Sequence, residues 1–112
     1  MIVWPCVFKL EGDAELMYLG SEHQLSIELN DLIWDGSDRL IDSRGHCYAV
    51  SIEKGRYAFE PDGVQLSLVG VTQLIQAHEC ARAQVCVTKI QFSSIEEAIK
   101  SLSWGSSTRP EI

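Results

Sequence analysis

The chain has 112 residues, of which 46% are hydrophobic and 22% charged, and this length and composition fit one globular domain with its own core. Sixteen acidic and nine basic side chains give a formal charge of −7, and the basic residues form no run, so the overall field repels phosphate backbones and anionic lipid. We therefore expect an acidic, soluble domain with no nucleic acid and no membrane among its partners.

Two features of the sequence bear on the compartment. The N-terminus lacks a basic region followed by an apolar segment, because Lys9 and Glu11 come too soon, and no export signal is expected. The sequence has four cysteines, Cys6, Cys47, Cys80 and Cys86. Because disulfide frameworks belong mainly to small secreted domains, all four are expected to be thiols. These features predict a cytoplasmic protein.

The first third of the chain predicts a hairpin and a helix. Alternate residues from Ile2 to Leu10 are apolar, a turn follows at 11–14, and residues 15–19 supply a second strand. Ser21 precedes Gln24 by three residues, which is the spacing of a capping box, and the apolar stripe at 25–33 predicts a helix. The apolar residues at 25, 27 and 29 also alternate, so a strand remains the alternative there.

The rest of the chain predicts more strands and two more helices. Residues 39–43 and 47–53 form a second hairpin around Gly45, and residues 56–60 add a strand. Asp62 has the capping spacing before a helical stripe that runs through residues 64–78. Residues 85–92 alternate as a strand does, and Ser94 with Glu97 predicts the cap of a final helix.

These elements come in the order ββ-α-ββ-(β)-α-β-α. Strands that follow one another as hairpins favour an α+β fold, with a small mixed or antiparallel sheet and helices packed on one face. The predicted domain spans residues 1–104. A flexible tail follows at residues 105–112, where glycine, serine, threonine and proline are concentrated.

Five segments carry a resemblance to a known family: Ile-Val-Trp-Pro at 2–5, Lys-Leu-Glu-Gly-Asp-Ala-Glu-Leu at 9–16, Asp-Leu-Ile-Trp at 31–34, Gln-Leu-Ile-Gln-Ala-His at 73–78, and Thr-Lys-Ile-Gln-Phe-Ser-Ser-Ile-Glu-Glu-Ala-Ile at 88–99. In these segments the chain resembles a family of short gammaproteobacterial proteins known as a domain of unknown function. The resemblance implies a stand-alone domain in a bacterial cytoplasm. It implies no activity and no functional residue.

The sequence offers weak support for a metal site or a catalytic centre. There is no C-x₂-C pair, and neighbours such as His46 and Cys47 point to opposite faces of a strand, so no metal or other cofactor is expected. Asp42, Ser43 and His46 are close in sequence, but no nucleophile elbow is present. We interpret Asp42 and Ser43 as turn residues whose side-chain oxygens accept hydrogen bonds from nearby backbone amides.

The function predicted from the sequence is a non-enzymatic protein-interaction or regulatory domain. Trp34 and Trp104 are the candidate interaction residues, because tryptophan is enriched at binding hot spots, although each could instead cover a neighbouring loop. The alternative is a small enzyme or ligand-binding protein whose site is assembled from distant residues. His46, Cys47 and Glu53 are the candidates for that site.

Overall fold

A computed structural model describes residues 2–32, 34–82 and 91–102, which form a five-stranded sheet and three helices. The strands are β1 (Cys6–Lys9), β2 (Leu16–Leu19), β3 (Arg39–Ile41), β4 (His46–Glu53) and β5 (Arg56–Gln65). The helices are α1 (Glu22–Asn30), α2 (Leu68–Arg82) and α3 (Ile95–Ser101). All four strand pairs are antiparallel, in the spatial order β2-β1-β3-β4-β5.

The predicted α+β class and antiparallel sheet are confirmed, and so are both hairpins and the strand that follows them. Of the strand predicted over 85–92, residues 85–90 lie outside the described residues, and 91–92 are not in a strand. The tail predicted at 105–112 also lies outside them. Among the described helices, none is long and apolar enough to cross a membrane.

The helices cover both faces of the sheet, which corrects the prediction that they pack on one face. Phe8 and Tyr48 point towards α1, where they form a core with Leu25 and Leu29. Residues on the opposite face of β1, β3 and β4 pack against α2 and α3 in a second core formed by Val7, Leu16, Ile41, Cys47, Val71, Ile75, Ala98 and Ile99. Because the central strands are apolar on both faces, each face needs a helical cover.

The helix starts show which capping predictions were correct. The Ser21 and Ser94 hydroxyls accept hydrogen bonds from the third backbone N–H after them, as predicted. The cap predicted at Asp62 is wrong, because β5 continues to residue 65 and α2 begins only at Leu68. Ser67 lies just before α2, and its hydroxyl accepts a hydrogen bond from the Gly70 N–H at 3.1 Å.

Candidate functional site

An apolar cavity of about 250 Å³ lies beside the turn between β1 and β2. Its walls include Phe8 of β1, Leu10 directly after β1, Met17 of β2, and Leu32 after α1. Leu10, Met17 and Leu32 pack on the α1-side core and yet remain partly exposed. The cavity therefore presents apolar surface that the fold itself does not cover.

A wider and more open depression of about 730 Å³ continues from this cavity, and the two share Leu10 and Asp13. The depression adds Trp34 and the acidic side chains of Glu11, Asp35 and Asp38 to the lining. We refer to the cavity and the depression together as the hairpin groove. One end of this groove is apolar, and the other is acidic.

Asp38 holds the two sides of the hairpin groove together. Its side chain is 5% exposed, and its two carboxylate oxygens accept hydrogen bonds from the backbone N–H of Glu11 at 2.6 Å and of Asp35 at 2.8 Å. These bonds tie the β1–β2 turn to the loop after α1. Since both oxygens accept backbone hydrogen bonds, the role of Asp38 is to hold the shape of the groove. The charge that the groove presents to solvent comes from the exposed acids around it.

Trp34 forms one wall of the groove and is held in place by contacts with core residues. The predicted helix ends at Asn30, so Trp34 lies beyond it and packs on the core. Its indole N–H donates to the Leu29 carbonyl at 3.1 Å, and its ring contacts Phe8 edge-on and Tyr57 at a tilt, with both centroid distances 6.1 Å. These contacts hold the ring in place without removing it from the groove.

Among the described residues, two cations lie beside the groove, and neither forms an ion pair with a rim carboxylate. The Lys9 amine donates to the Asp13 carbonyl at 2.9 Å. The Arg39 guanidinium pairs with the Asp62 carboxylate and also donates to the backbone carbonyls of Gly36 and Asp38. Glu11 and Glu15 are exposed, and within the described part of the chain their carboxylates have no hydrogen-bond or ion-pair partner. They are therefore available to a cationic ligand.

Asp35 adds a further negative charge to the rim. Hydrogen bonds from the Ser37 hydroxyl, at 2.6 Å, and from its backbone N–H, at 2.8 Å, lower the pKa of the Asp35 carboxyl. A lowered pKa means that this group stays ionised at neutral pH, and the open end of the groove keeps its negative charge.

The Asp42 turn is structural, as predicted. Asp42 is fully buried, and its carboxylate accepts from the backbone N–H of Val3 at 3.2 Å, of Arg44 at 2.9 Å and of His46 at 3.0 Å. The Ser43 part of the prediction is wrong, because its hydroxyl donates at 2.7 Å to the carbonyl of Pro5, which is 38 residues away in the sequence. Neither side chain binds the His46 ring in these contacts, so the three residues do not form a catalytic triad.

Two titratable groups beside Asp42 are kept neutral. Burial and the Asp42 charge raise the pKa of the Cys6 thiol. Burial, the same charge and a hydrogen bond with Asp42 raise the pKa of the Tyr48 hydroxyl. Because raised pKa values favour the protonated forms, the Cys6 thiol and the Tyr48 hydroxyl stay neutral at neutral pH.

The residues of the alternative site lie along one strand and do not converge. His46 and Glu53 are the two ends of β4, about 23 Å apart at a rise of roughly 3.3 Å per residue. Cys47 points into the core on the α2 side, and burial, with Asp62 as the next cause, raises the pKa of its thiol to about 11. A thiol protonated at neutral pH is a poor nucleophile.

Cys6 and Cys47 are buried free thiols, as expected, but Cys80 is disulfide-bonded. The prediction of four thiols is therefore wrong for Cys80. That prediction relied on the redox state that is usual for a compartment, and this does not determine whether an individual cysteine near the end of a helix forms a disulfide.

Trp104, the second candidate interaction residue, lies outside the described residues. Among the described residues, no group of three or more acidic, histidine or cysteine side chains could hold a metal.

Comparison with known proteins places the chain in a family. The model of the DUF4144 family, described as a protein structure with unknown function, matches residues 4–102. The chain belongs to this family. It is also similar to a protein from Shewanella amazonensis solved by NMR, at 27% identity and a TM-score of 0.69, with 92% of this chain and 89% of that one covered. That source is a gammaproteobacterium, in agreement with the resemblance seen in the sequence. No curated protein matches.

Proposed function

We propose that this DUF4144 domain is a non-enzymatic protein-interaction domain that binds its partner in the hairpin groove. The observation that carries the proposal is the pairing of an uncovered apolar cavity with exposed, unpaired carboxylates beside an anchored tryptophan. Protein interfaces commonly combine an apolar pocket and an aromatic anchor with a polar rim. A regulatory role would follow from the partner that is bound.

The state of the nucleophilic side chains supports a binding role over a catalytic one. The Ser43 hydroxyl is buried and occupied by the Pro5 carbonyl, and the Cys47 thiol is buried with a raised pKa. An activated nucleophile would instead need a lowered pKa or an adjacent base. The surface of the apolar cavity, by contrast, is open and can be contacted by a partner.

Site-specific cross-linking tests the location of the binding surface. A photo-reactive amino acid at position 13 lies in the groove, whereas the same group at position 53 lies at the far end of β4 and serves as the matched control. Each probe replaces one exposed acidic residue. We expect one protein to be cross-linked from position 13 and not from position 53, in cells that produce the domain at its native level. The same products from both positions would contradict the proposal.

The alternative function predicts a different result in the same cells. A small-molecule-binding protein would give no protein cross-link at position 13, and its Tm would rise with a ligand that fills the cavity. The cavity volume of about 250 Å³ lies below that of ligand pockets, which is roughly 300–1,000 Å³. The depression of about 730 Å³ falls within that range, but it is open to solvent and does not enclose a ligand. A small cavity beside an open depression fits a side chain and the segment that carries it better than a cofactor.

The compartment that we propose is the cytoplasm, supported by the two buried thiols Cys6 and Cys47. The disulfide at Cys80 uses two of the four cysteines, so protein purified in air and then denatured without reductant is expected to show two thiols. In native protein at mild pH, neither buried thiol is expected to react, because their pKa values are raised. Cells lysed directly into denaturant and alkylating reagent are expected to yield protein labelled at all four cysteines, because the cytoplasm keeps disulfides reduced until lysis. Labelling of only two cysteines in that sample would place the domain in an oxidising compartment.

A further inference from the structure

We infer that the segment bound in the hairpin groove is a basic, amphipathic peptide of the partner protein, in which an apolar side chain enters the cavity and neighbouring lysine or arginine side chains bind Glu11 and Glu15. This inference rests on the proposed function and adds the chemistry of the partner.

The apolar walls of the cavity favour an apolar side chain in the partner. Phe8 forms its buried base, and Leu10, Met17 and Leu32 are only partly covered. A leucine, methionine or phenylalanine side chain placed there would remove this surface from water, and burial of apolar surface is the main source of affinity in such grooves. A purely polar peptide would leave the cavity unused.

The positions of the unpaired carboxylates favour basic side chains in the partner. Glu15 lines the cavity, and Glu11 lines the open depression next to it, whereas Asp13 lines both. A peptide that runs from the cavity into the depression therefore passes Glu15 beside its apolar anchor and then Glu11. Arginine suits this position because its guanidinium can bind a carboxylate through two parallel hydrogen bonds.

The charge of the whole chain favours the same partner. A formal charge of −7 attracts cations, and the two cations beside the groove, Lys9 and Arg39, are outnumbered by the five acidic side chains of its lining. Acidic peptides and nucleic acids would be repelled by this field. The attraction acts between exposed groups, so it falls as salt screens the charges.

Three synthetic peptides of about twelve residues test the inference, with fluorescence anisotropy as the measurement at about 0.05 M and 0.3 M salt. The first alternates leucine with lysine and arginine, the second replaces its basic residues by glutamate, and the third replaces its leucines by serine. We expect the first peptide to bind at least about tenfold more tightly than either of the others, and its binding to weaken at the higher salt. Equal binding of the first and third peptides would overturn the apolar part of the inference.

Two double variants with the same net charge locate the binding. Glu11→Gln with Glu15→Gln removes the unpaired carboxylates of the groove, whereas Glu53→Gln with Glu60→Gln removes two exposed carboxylates from the β4–β5 hairpin. The groove variant should weaken binding of the first peptide about tenfold, and the control variant less than about twofold. Equal losses would show a general charge effect and overturn the inference.

The inference can fail while the proposed function survives. A specific cross-link from position 13 to an acidic or uncharged segment of a partner would keep the groove as the binding site and would overturn its preference for basic peptides. Absence of both the cross-link and peptide binding would overturn both proposals. The supporting result is a cross-linked basic segment whose synthetic copy binds the native chain and binds the groove variant about tenfold more weakly.

Discussion

Replacement of Gly45 by alanine is expected to lower the free energy of unfolding by about 4 kcal/mol or more, which is a large share of the roughly 5–15 kcal/mol of a typical domain. Gly45 has a φ of +85°, and a Cβ atom on it would lie 2.2 Å from the Leu66 carbonyl oxygen. The Leu66 N–H also donates to the Gly45 carbonyl at 2.8 Å, so the two backbones cannot separate without loss of this bond. Thermal and urea unfolding measure the effect, with a fall in Tm of roughly 15 °C expected.

Gly55→Ala is the matched control for this substitution. Gly55 has a similar φ of +78°, but no atom lies within 4 Å of the position that its Cβ would take. The control therefore pays only the left-handed backbone penalty, about 1–2 kcal/mol. Similar losses for the two alanines would show that the close approach of Gly45 to Leu66 does not contribute to stability.

Replacement of Asp42 by alanine is the second large expected effect, with a loss of about 3–5 kcal/mol. The carboxylate is fully buried and accepts hydrogen bonds from three backbone N–H groups, those of Val3, Arg44 and His46. Alanine would leave these partly buried donors without their acceptor. A fully buried unsatisfied donor costs about 1–3 kcal/mol, and the three losses are not additive. Equilibrium unfolding in urea is the measurement.

Two further variants test the explanation of the Asp42 effect. Asp42→Asn keeps one acceptor oxygen but turns an amide towards the Val3 N–H, so an intermediate loss of about 1–2 kcal/mol is expected. Asp62→Ala removes a carboxylate that pairs with Arg39 near the surface at 2.8 Å, and should lose no more than about 1 kcal/mol. Equal losses for Asp42→Ala and Asp62→Ala would contradict the role given to the buried carboxylate.

Local patterns in the sequence predicted local structure well. The caps at Ser21 and Ser94 depend on residues three positions apart, and the tight turn at Gly45 depends on a glycine in place. The prediction of a helix cap at Asp62 was wrong because the spacing of residues 62 and 65 does not determine which group the Asp62 carboxylate binds. Asp62 pairs with Arg39 across the sheet, a contact that local spacing does not reveal.

The sequence of the first strand does not predict that helices cover both faces of the sheet. The alternation in residues 2–10 indicates one apolar face. The second core instead joins Val7, Ile41 and Cys47, which come from three different strands. Only the register of β1 with β3 and of β3 with β4 brings these residues to one face. Non-local pairing of this kind leaves no periodic signal within a single segment.

The hairpin groove was also missed, although part of its signal is in the sequence. The carboxylates at 11, 13 and 15 are close together in the first turn, but they resemble an ordinary solvated turn. The Asp38 carboxylate joins this turn by accepting a hydrogen bond from the Glu11 N–H, 27 residues away, and it also accepts one from the Asp35 N–H. Trp34 was identified as a candidate from its residue type, whereas its anchoring by the Leu29 carbonyl required the structure.

Two-dimensional NMR of the native chain with the basic amphipathic peptide is the most direct test of the hairpin groove as the binding site. We expect the amide signals of residues 10–17 and 34–38 to shift on titration, while those of the β4–β5 hairpin around Glu53 and Arg56 stay in place. Shifts confined to the β4–β5 hairpin or to α2, with the groove signals unchanged, would contradict the account.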